Sequence, residues 1–370
     1  MKKRFPALIL LFALMLTLVF SLSSCKEKYE PVESTSEEKR TVIDISYDGE
    51  KYEVPYELYR AFFLQLKSSV DGGNGEVWTG AEKDSYIAKI DALIYQRISE
   101  IYAIFHLCEK ADIDVYSKDF DEKIQELIEI AVEGGTIDGT FYEGFGGDYD
   151  KYLASLKEMN LNYSAQVLLL RYQLAYDALA NYYIGDVYGE NLSENSAPGK
   201  IQYAKEDVKA FYNSEDSSRR VIITILQDDY FTEKRAQEIR DTIASKTNET
   251  DVINYVFGFT VTSPESHIIG RYTHDEFYYS ELTESAFSLE VGKTSSVITL
   301  KTDTFDGYAI LYRQNATEEF FNSNYNGILN SYLYNEMGKI IKNTKTAIAD
   351  AISPTDILNQ LDRSTVTMGE

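Results

Sequence analysis

The feature that most constrains this fold is a change of hydrophobic period near residue 217 and its reversal near residue 317. Before it, apolar residues recur at helical spacing. Leu58, Phe62, Phe63 and Leu66 mark a helix over 55–69, and Ile87, Ile90, Leu93, Ile94, Ile98, Ile101, Ile104 and Phe105 mark a longer one reaching about 111. Thr79-Gly80-Ala81-Glu82 has capping-box spacing and predicts where the longer helix starts. Further helices are expected at 117–132, 148–159 and 162–184, with a Gly-rich aromatic loop at 134–147 and a linker at 191–199. Val221-Ile222-Ile223-Thr224-Ile225-Leu226 then breaks the period. So β-branched a run predicts a buried strand.

Helices at 231–245 and 249–256, a loop, a short helix at 282–288 and strands at 296–300 and 308–312 follow. Residues 318–352 return to the helical period through Tyr325, Ile328, Leu329, Tyr332, Leu333, Met337, Ile340 and Ile341. Ahead of all this, Val42, Ile43 and Ile45 are separated from Tyr52 and Val54 by Asp48-Gly49, a hairpin signal. The expectation is an α+β chain: a mainly helical domain, an inserted small α+β domain, and a C-terminal helix that returns to the first.

The N-terminus sets the compartment. Lys2, Lys3 and Arg4 precede a charge-free apolar run over 7–20, the layout of a secretory signal peptide. The run is shorter than the roughly 20 residues a membrane span needs. Leu22-Ser23-Ser24-Cys25 at its end resembles a bacterial lipobox. That resemblance implies cleavage before Cys25 and diacylglycerol on its thiol. An uncleaved anchor or an ordinary signal peptide are the alternatives, and each leaves the rest of the chain extracytoplasmic. The organisation expected is a signal peptide at 1–24, a lipid-anchored flexible tether at 25–40, a helical domain at 41–216, the small α+β domain at 217–314, and the returning helix with its tail at 315–370.

Without residues 1–24 the chain carries 33 basic and 60 acidic side chains, a net charge of −27. Such a surface has no means of neutralising phosphates, which argues against nucleic acid and against docking on anionic lipid. With Cys25 assigned to lipid, Cys108 stands alone in an apolar helical stretch and reads as a small buried hydrophobe. No disulfide framework is available, so the core must hold the fold. The chain has 30 Tyr, which suit core edges and peptide grooves.

Several segments together resemble extracytoplasmic foldases of the PrsA/SurA type. Glu109-Lys110-Ala111-Asp112-Ile113-Asp114-Val115 is similar to the helix end of that family's N-terminal domain. Ala204-Lys205-Glu206-Asp207-Val208-Lys209-Ala210-Phe211-Tyr212 is similar to the segment ahead of its rotamase domain. Residues 219–313 resemble a diverged parvulin-type peptidyl-prolyl isomerase, most closely at Ser285-Ala286-Phe287-Ser288-Leu289-Glu290-Val291-Gly292-Lys293-Thr294-Ser295 and at Asp306-Gly307-Tyr308-Ala309-Ile310-Leu311.

The resemblance places Thr224 and Ala309 at the family's two active-site histidines. It places Tyr278 and Leu282 at the apolar proline-pocket positions, with Phe287 beside them. It implies exported, unfolded or proline-containing polypeptides as clients, membrane attachment through the N-terminal lipid, and no cofactor. With both histidines replaced, isomerase activity is expected to be weak or lost. An active isomerase, or an envelope-assembly lipoprotein with one dedicated partner, are the competing readings. His106 sits on an apolar helical face. His267 and His274 lie near Asp275 and Glu276 but match no metal-ligand spacing, so no metal is expected.

Overall fold

The computed structural model describes residues 29–367 apart from 72–77, 79, 138–139, 188–198, 215–220, 228–229, 263–266, 273–279, 302–305 and 316. The fold is α+β, and the chain forms two compact units. The first takes the described residues up to 186, 199–201 and those from 334 onward, and the second takes the rest.

The first unit opens with the hairpin β1 (Thr41–Tyr47) and β2 (Glu50–Pro55). Asp48 and Gly49 both adopt positive φ, 52° and 85°, which matches the twist of the flanking strands. Helices α1 (Tyr56–Asp71), α2 (Lys83–Lys110) and α3 (Lys118–Glu133) follow. Next come a small hairpin, β3 (Gly135–Ile137) and β4 (Thr140–Tyr142), and helices α4 (Tyr149–Glu158) and α5 (Tyr163–Tyr183). The core gathers Leu58, Phe63, Ile94, Ile98, Ile104, Ile128, Leu170 and Leu179. Cys108 is fully buried, its thiol donates to the Ala175 carbonyl at 3.4 Å, and burial pushes it up to about 12.

Helix α2 starts later than its capping-box spacing implies. Its N-cap is Glu82, which makes no side-chain cap bond, whereas Asp148 and Asn162 cap α4 and α5 through Lys151 N and Ala165 N. The segment 29–40, expected as flexible tether, is held on the unit instead. The Tyr29 ring stacks on Tyr149 at 5.0 Å, and Glu38 forms an ion pair with Arg60 at 2.7 Å.

In the second unit, α6 (Lys205–Asn213) precedes β5 (Val221–Gln227), α7 (Glu233–Ala244), α8 (Glu249–Thr262) and β6 (His267–Tyr272). Then come α9 (Ser280–Ser288), β7 (Ile298–Lys301), β8 (Asp306–Arg313) and α10 (Glu318–Ser323). The sheet is antiparallel in the order β6-β5-β8-β7. Strand β6 was not legible as a strand: Gly270 interrupts its six residues and leaves only Ile268 and Ile269 as adjacent β-branched apolar residues. Helix α6 clusters with this unit rather than the first, because Tyr212 packs on Phe321 at 5.4 Å and Lys209 pairs with Glu318 at 2.6 Å.

The expected single helix over 318–352 is broken at Asn324, whose carbonyl accepts from Ile328 N as the first acceptor of α11 (Tyr325–Asp350). From residue 334 the chain belongs to the first unit, where Ile340 and Ile341 pack on the core and Lys345 pairs with Glu100 at 2.6 Å. A ninth strand, β9 (Ile352–Pro354), pairs antiparallel with β1 and completes a sheet of order β2-β1-β9. Helix α12 (Asp356–Gln360) buries Leu358 beside it.

Candidate functional site

Strand β5 is the centre of the second unit, paired on both edges and buried on both faces, which is why its sequence does not alternate. Its side chains still alternate in direction. Ile222 and Leu226 join Ile310, Tyr312, Ala236, Ile239 and Val256 under helices α7 and α8. Val221, Ile223 and Ile225 join Ala309, Leu311, Leu300, Leu282 and Ala286 under α9.

This alternation separates the two positions the sequence brought together. Thr224 pairs in register with Ile310 and lies on the α7–α8 face. Ala309 pairs with Ile225 and lies on the α9 face. Thr224 and Ala309 therefore point to opposite sides of the sheet and share no site. The residue beside Ala309 is Ile225, one position on, a slip that a run of four apolar β-branched neighbours cannot resolve in sequence. The Thr224 hydroxyl is buried and has no hydrogen-bond partner among the described residues.

Leu282 does share a cluster with Ala309, but both are fully buried. Neither has surface to offer a peptide, so Leu282 is core here and not pocket lining. Tyr278 lies outside the described residues, as does the Phe287 side chain, although its backbone belongs to α9. The buried cluster around Ala309 on this face is apolar, and none of Ile225, Leu282 and Ala309 can donate a hydrogen bond to a twisted amide.

The motif after α9 has a structural task. Gly292 takes φ +78° as the chain turns, and its N–H donates to Arg313 O at 2.7 Å. The Ser295 hydroxyl accepts from Leu311 N at 3.0 Å and donates to Ser296 O at 2.6 Å, holding the segment along β8.

A second concave feature lies in the first unit and was not legible as a site, because its wall is the segment taken for a tether. A cleft of about 330 Å³ is lined by Val32, Ile124, Tyr163 and Val167, with Ser34, Lys39 and Gln125 among its polar groups. Behind it the Ser34 hydroxyl donates to Glu57 and lies 2.7 Å from the Ser164 hydroxyl, while the Asn162 amide donates to Glu57 at 2.9 Å and to Glu38 at 3.3 Å. Burial opposes the Glu38 charge, but bonds from the Thr35 backbone, Arg60 and the Thr35 hydroxyl outweigh it and hold the carboxyl down to about 2. The available signal was Glu57 and Arg60, two charges inside an otherwise apolar helix start.

His106 is buried against Tyr52, whose hydroxyl lies 2.8 Å from its Nδ1, and burial lowers its tendency to protonate. Among the described residues no three His, Cys, Asp or Glu side chains converge to hold a metal ion, and no helix is long and apolar enough to cross a membrane. Cys25, His274 and the side chain of His267 lie outside the description.

No protein-family model and no curated protein matches the chain. Among solved structures it is similar to the foldase protein PrsA from Lactococcus lactis, at 12% identity over 89% of this chain and 99% of that one, with a TM-score of 0.30. It is also similar to PrsA from Bacillus subtilis, at 15% identity over 85% and 93%, TM-score 0.27. A third is the foldase protein PrsA from Streptococcus pneumoniae, at 14% identity over 80% and 92%, TM-score 0.28. These bear the name of the family whose motifs the sequence resembles.

Proposed function

We propose that this chain is a foldase-like chaperone of the extracytoplasmic face of a Gram-positive cell membrane. It is held there by lipid on Cys25, binds exported and incompletely folded polypeptides, and has lost prolyl-isomerase turnover. The signal and lipobox residues and the family motifs support the location and the client class. The observation that carries the loss of turnover is the α9 face of the sheet, where Ile225 and Ala309 pair side by side under Leu282, all three buried and apolar. Peptide rotation faces a barrier of about 18–20 kcal/mol. Lowering it requires polar groups aimed at the twisted amide, and Ile225, Ala309 and Leu282 supply none. Client segments are instead received by the first unit, where the cleft beside Tyr163 offers apolar walls with a polar rim.

The test is a proline-limited refolding assay with the soluble form that begins after Cys25, run beside an aggregation assay on an unfolded client. Spontaneous exchange takes about 10–100 s at 25 °C and sets the baseline. Refolding at the spontaneous rate with aggregation suppressed is the expected result. Turnover above baseline would promote the active-isomerase reading, and a single tight partner in a pull-down would promote a dedicated assembly role.

A further inference from the structure

The most exposed large apolar side chain among the described residues is Phe141, at 73%, on β4, and Phe145 follows it in the next turn at 37%. An aromatic residue at a hairpin tip is ordinary when the hairpin is loose. This one is fastened at its base. Phe145 N and Gly147 N both donate to Val132 O, at 2.8 and 2.9 Å, fastening the hairpin's far end to the last turn of α3. Gly134 and Gly144 lie back to back at positive φ. A Cβ on Gly134 would stand 2.6 Å from Glu143 O, and one on Gly144 2.2 Å from Gly134 N. Only glycine permits that approach, so Phe141 is carried on a fixed mount.

The same corner holds the start of the described chain. The Tyr29 hydroxyl donates to Glu133, the last residue of α3, at 2.7 Å, and the Tyr149 hydroxyl donates to Glu30 O at 3.0 Å. Phe145 in turn meets Tyr152 edge to face at 6.0 Å. Between Cys25 and Tyr29 stand only Lys26, Glu27 and Lys28. Even fully extended, that stretch reaches no more than about 14 Å. A lipid on Cys25 therefore brings this corner of the first unit against the bilayer.

We propose that Phe141, and then Phe145, seat the first unit on the membrane by entering the boundary between headgroups and acyl chains of the bilayer that anchors Cys25. The inference rests on the lipid-anchor reading and adds how the anchored unit is oriented. The occupant is lipid rather than a second copy or a client because a tether this short keeps lipid at a local concentration that no soluble partner matches. The charges nearest these two rings in sequence, Glu133, Asp138, Glu143 and Asp150, are all acidic, and Lys151 is spent on Asp148 at 2.9 Å. Seating is thus apolar rather than electrostatic, and it suits a zwitterionic surface.

The test uses the chain beginning at Cys25, with that thiol coupled to a maleimide phospholipid in phosphatidylcholine vesicles. Cys108 is fully buried, so coupling falls on Cys25. The chain's one tryptophan, Trp78, is buried at 4% and provides an internal reference. Phe141→Trp adds the reporter and Ile357→Trp, at a 40% exposed position, the control. Brominated phosphatidylcholine should quench the Phe141→Trp emission and shift it to the blue, and leave Ile357→Trp unchanged. No quenching at 141, equal quenching at both positions, or a blue shift that depends on protein concentration without vesicles would each overturn the proposal. Chemical coupling does not depend on lipidation in the cell. Fatty-acid labelling of Cys25→Ala against the parent chain tests that reading separately.

Discussion

Thr224 shows what one residue reveals about the site. Its hydroxyl is buried without a partner among the described residues, on the helix-covered face of β5. Thr224→Val keeps the shape and removes the unpaired group, whose burial costs about 1–3 kcal/mol. The urea midpoint of the second unit should rise by the equivalent of about 1 kcal/mol. Leu282→Asp should do the reverse. A carboxylate placed among Ile225, Ala286 and Ala309 has no partner there, so the unit should unfold rather than merely lose peptide binding, which circular dichroism would show. Glu38 supplies a pH signature. Its carboxyl is held at about 2 against an ordinary 4.5. A carboxyl lowered on folding stabilises above the unfolded value, and that stability is lost as pH falls from 4.5 toward 2. At 1.36 kcal/mol per unit this is about 3 kcal/mol at most, and solvent screening of the partly exposed carboxyl reduces it to about 1–2 kcal/mol. Glu38→Gln should be less stable at neutral pH and show a flatter acid limb, read as the pH dependence of the urea midpoint. The sequence placed Thr224, Ala309 and Leu282 in one neighbourhood. It could not give the face of each, because β5 is apolar on both sides and offers no alternation to count.

At the scale of elements, long periodic segments were legible and short paired ones were not. Helices α1 to α5 and strand β5 carry their own signals in apolar spacing or β-branching. Strands β3, β4 and β9 have three residues each, and they exist because a partner strand is already in place. The order of 29–40 was hidden for a related reason. A polar stretch reads as solvated until Arg60 and Asn162, far along the chain, meet its Glu38. The C-terminal segment is the most consequential of these elements. Beyond β9, Arg363 donates to the Tyr59 hydroxyl at 2.9 Å and pairs with Asp91 at 3.1 Å, both charges nearly buried. Burial pushes the Asp91 carboxyl up despite these partners. Arg363→Met leaves that charge uncompensated and should cost about 3–5 kcal/mol. Ending the chain at Asp350 also removes β9, Leu358 and Val366, and should lower the thermal midpoint of the first unit further than the point substitution does.

At the scale of the whole molecule, the acidic surface makes a prediction independent of any site. The chain as a whole carries a net charge of −24, and like charges over the surface oppose compaction. Raising ionic strength from 0.01 to 1 M shortens the screening length from about 30 to about 3 Å. The urea midpoint should therefore rise with sodium chloride, and a fall would mean that exposed ion pairs outweigh the repulsion.

The pairing of β9 with β1 has a consequence for how the molecule is made. Thr355 reaches back to Thr41 across a separation of 314 residues. A chain threaded N-terminus first through a narrow exit cannot close that sheet until residues 352–354 emerge. Helices formed earlier must wait with their apolar faces uncovered, in the condition of the clients assigned to this protein above. Strand β9 acts as a latch on the β1–β2 hairpin, and a latch placed so far along the chain keeps the segments before it threadable until it has passed.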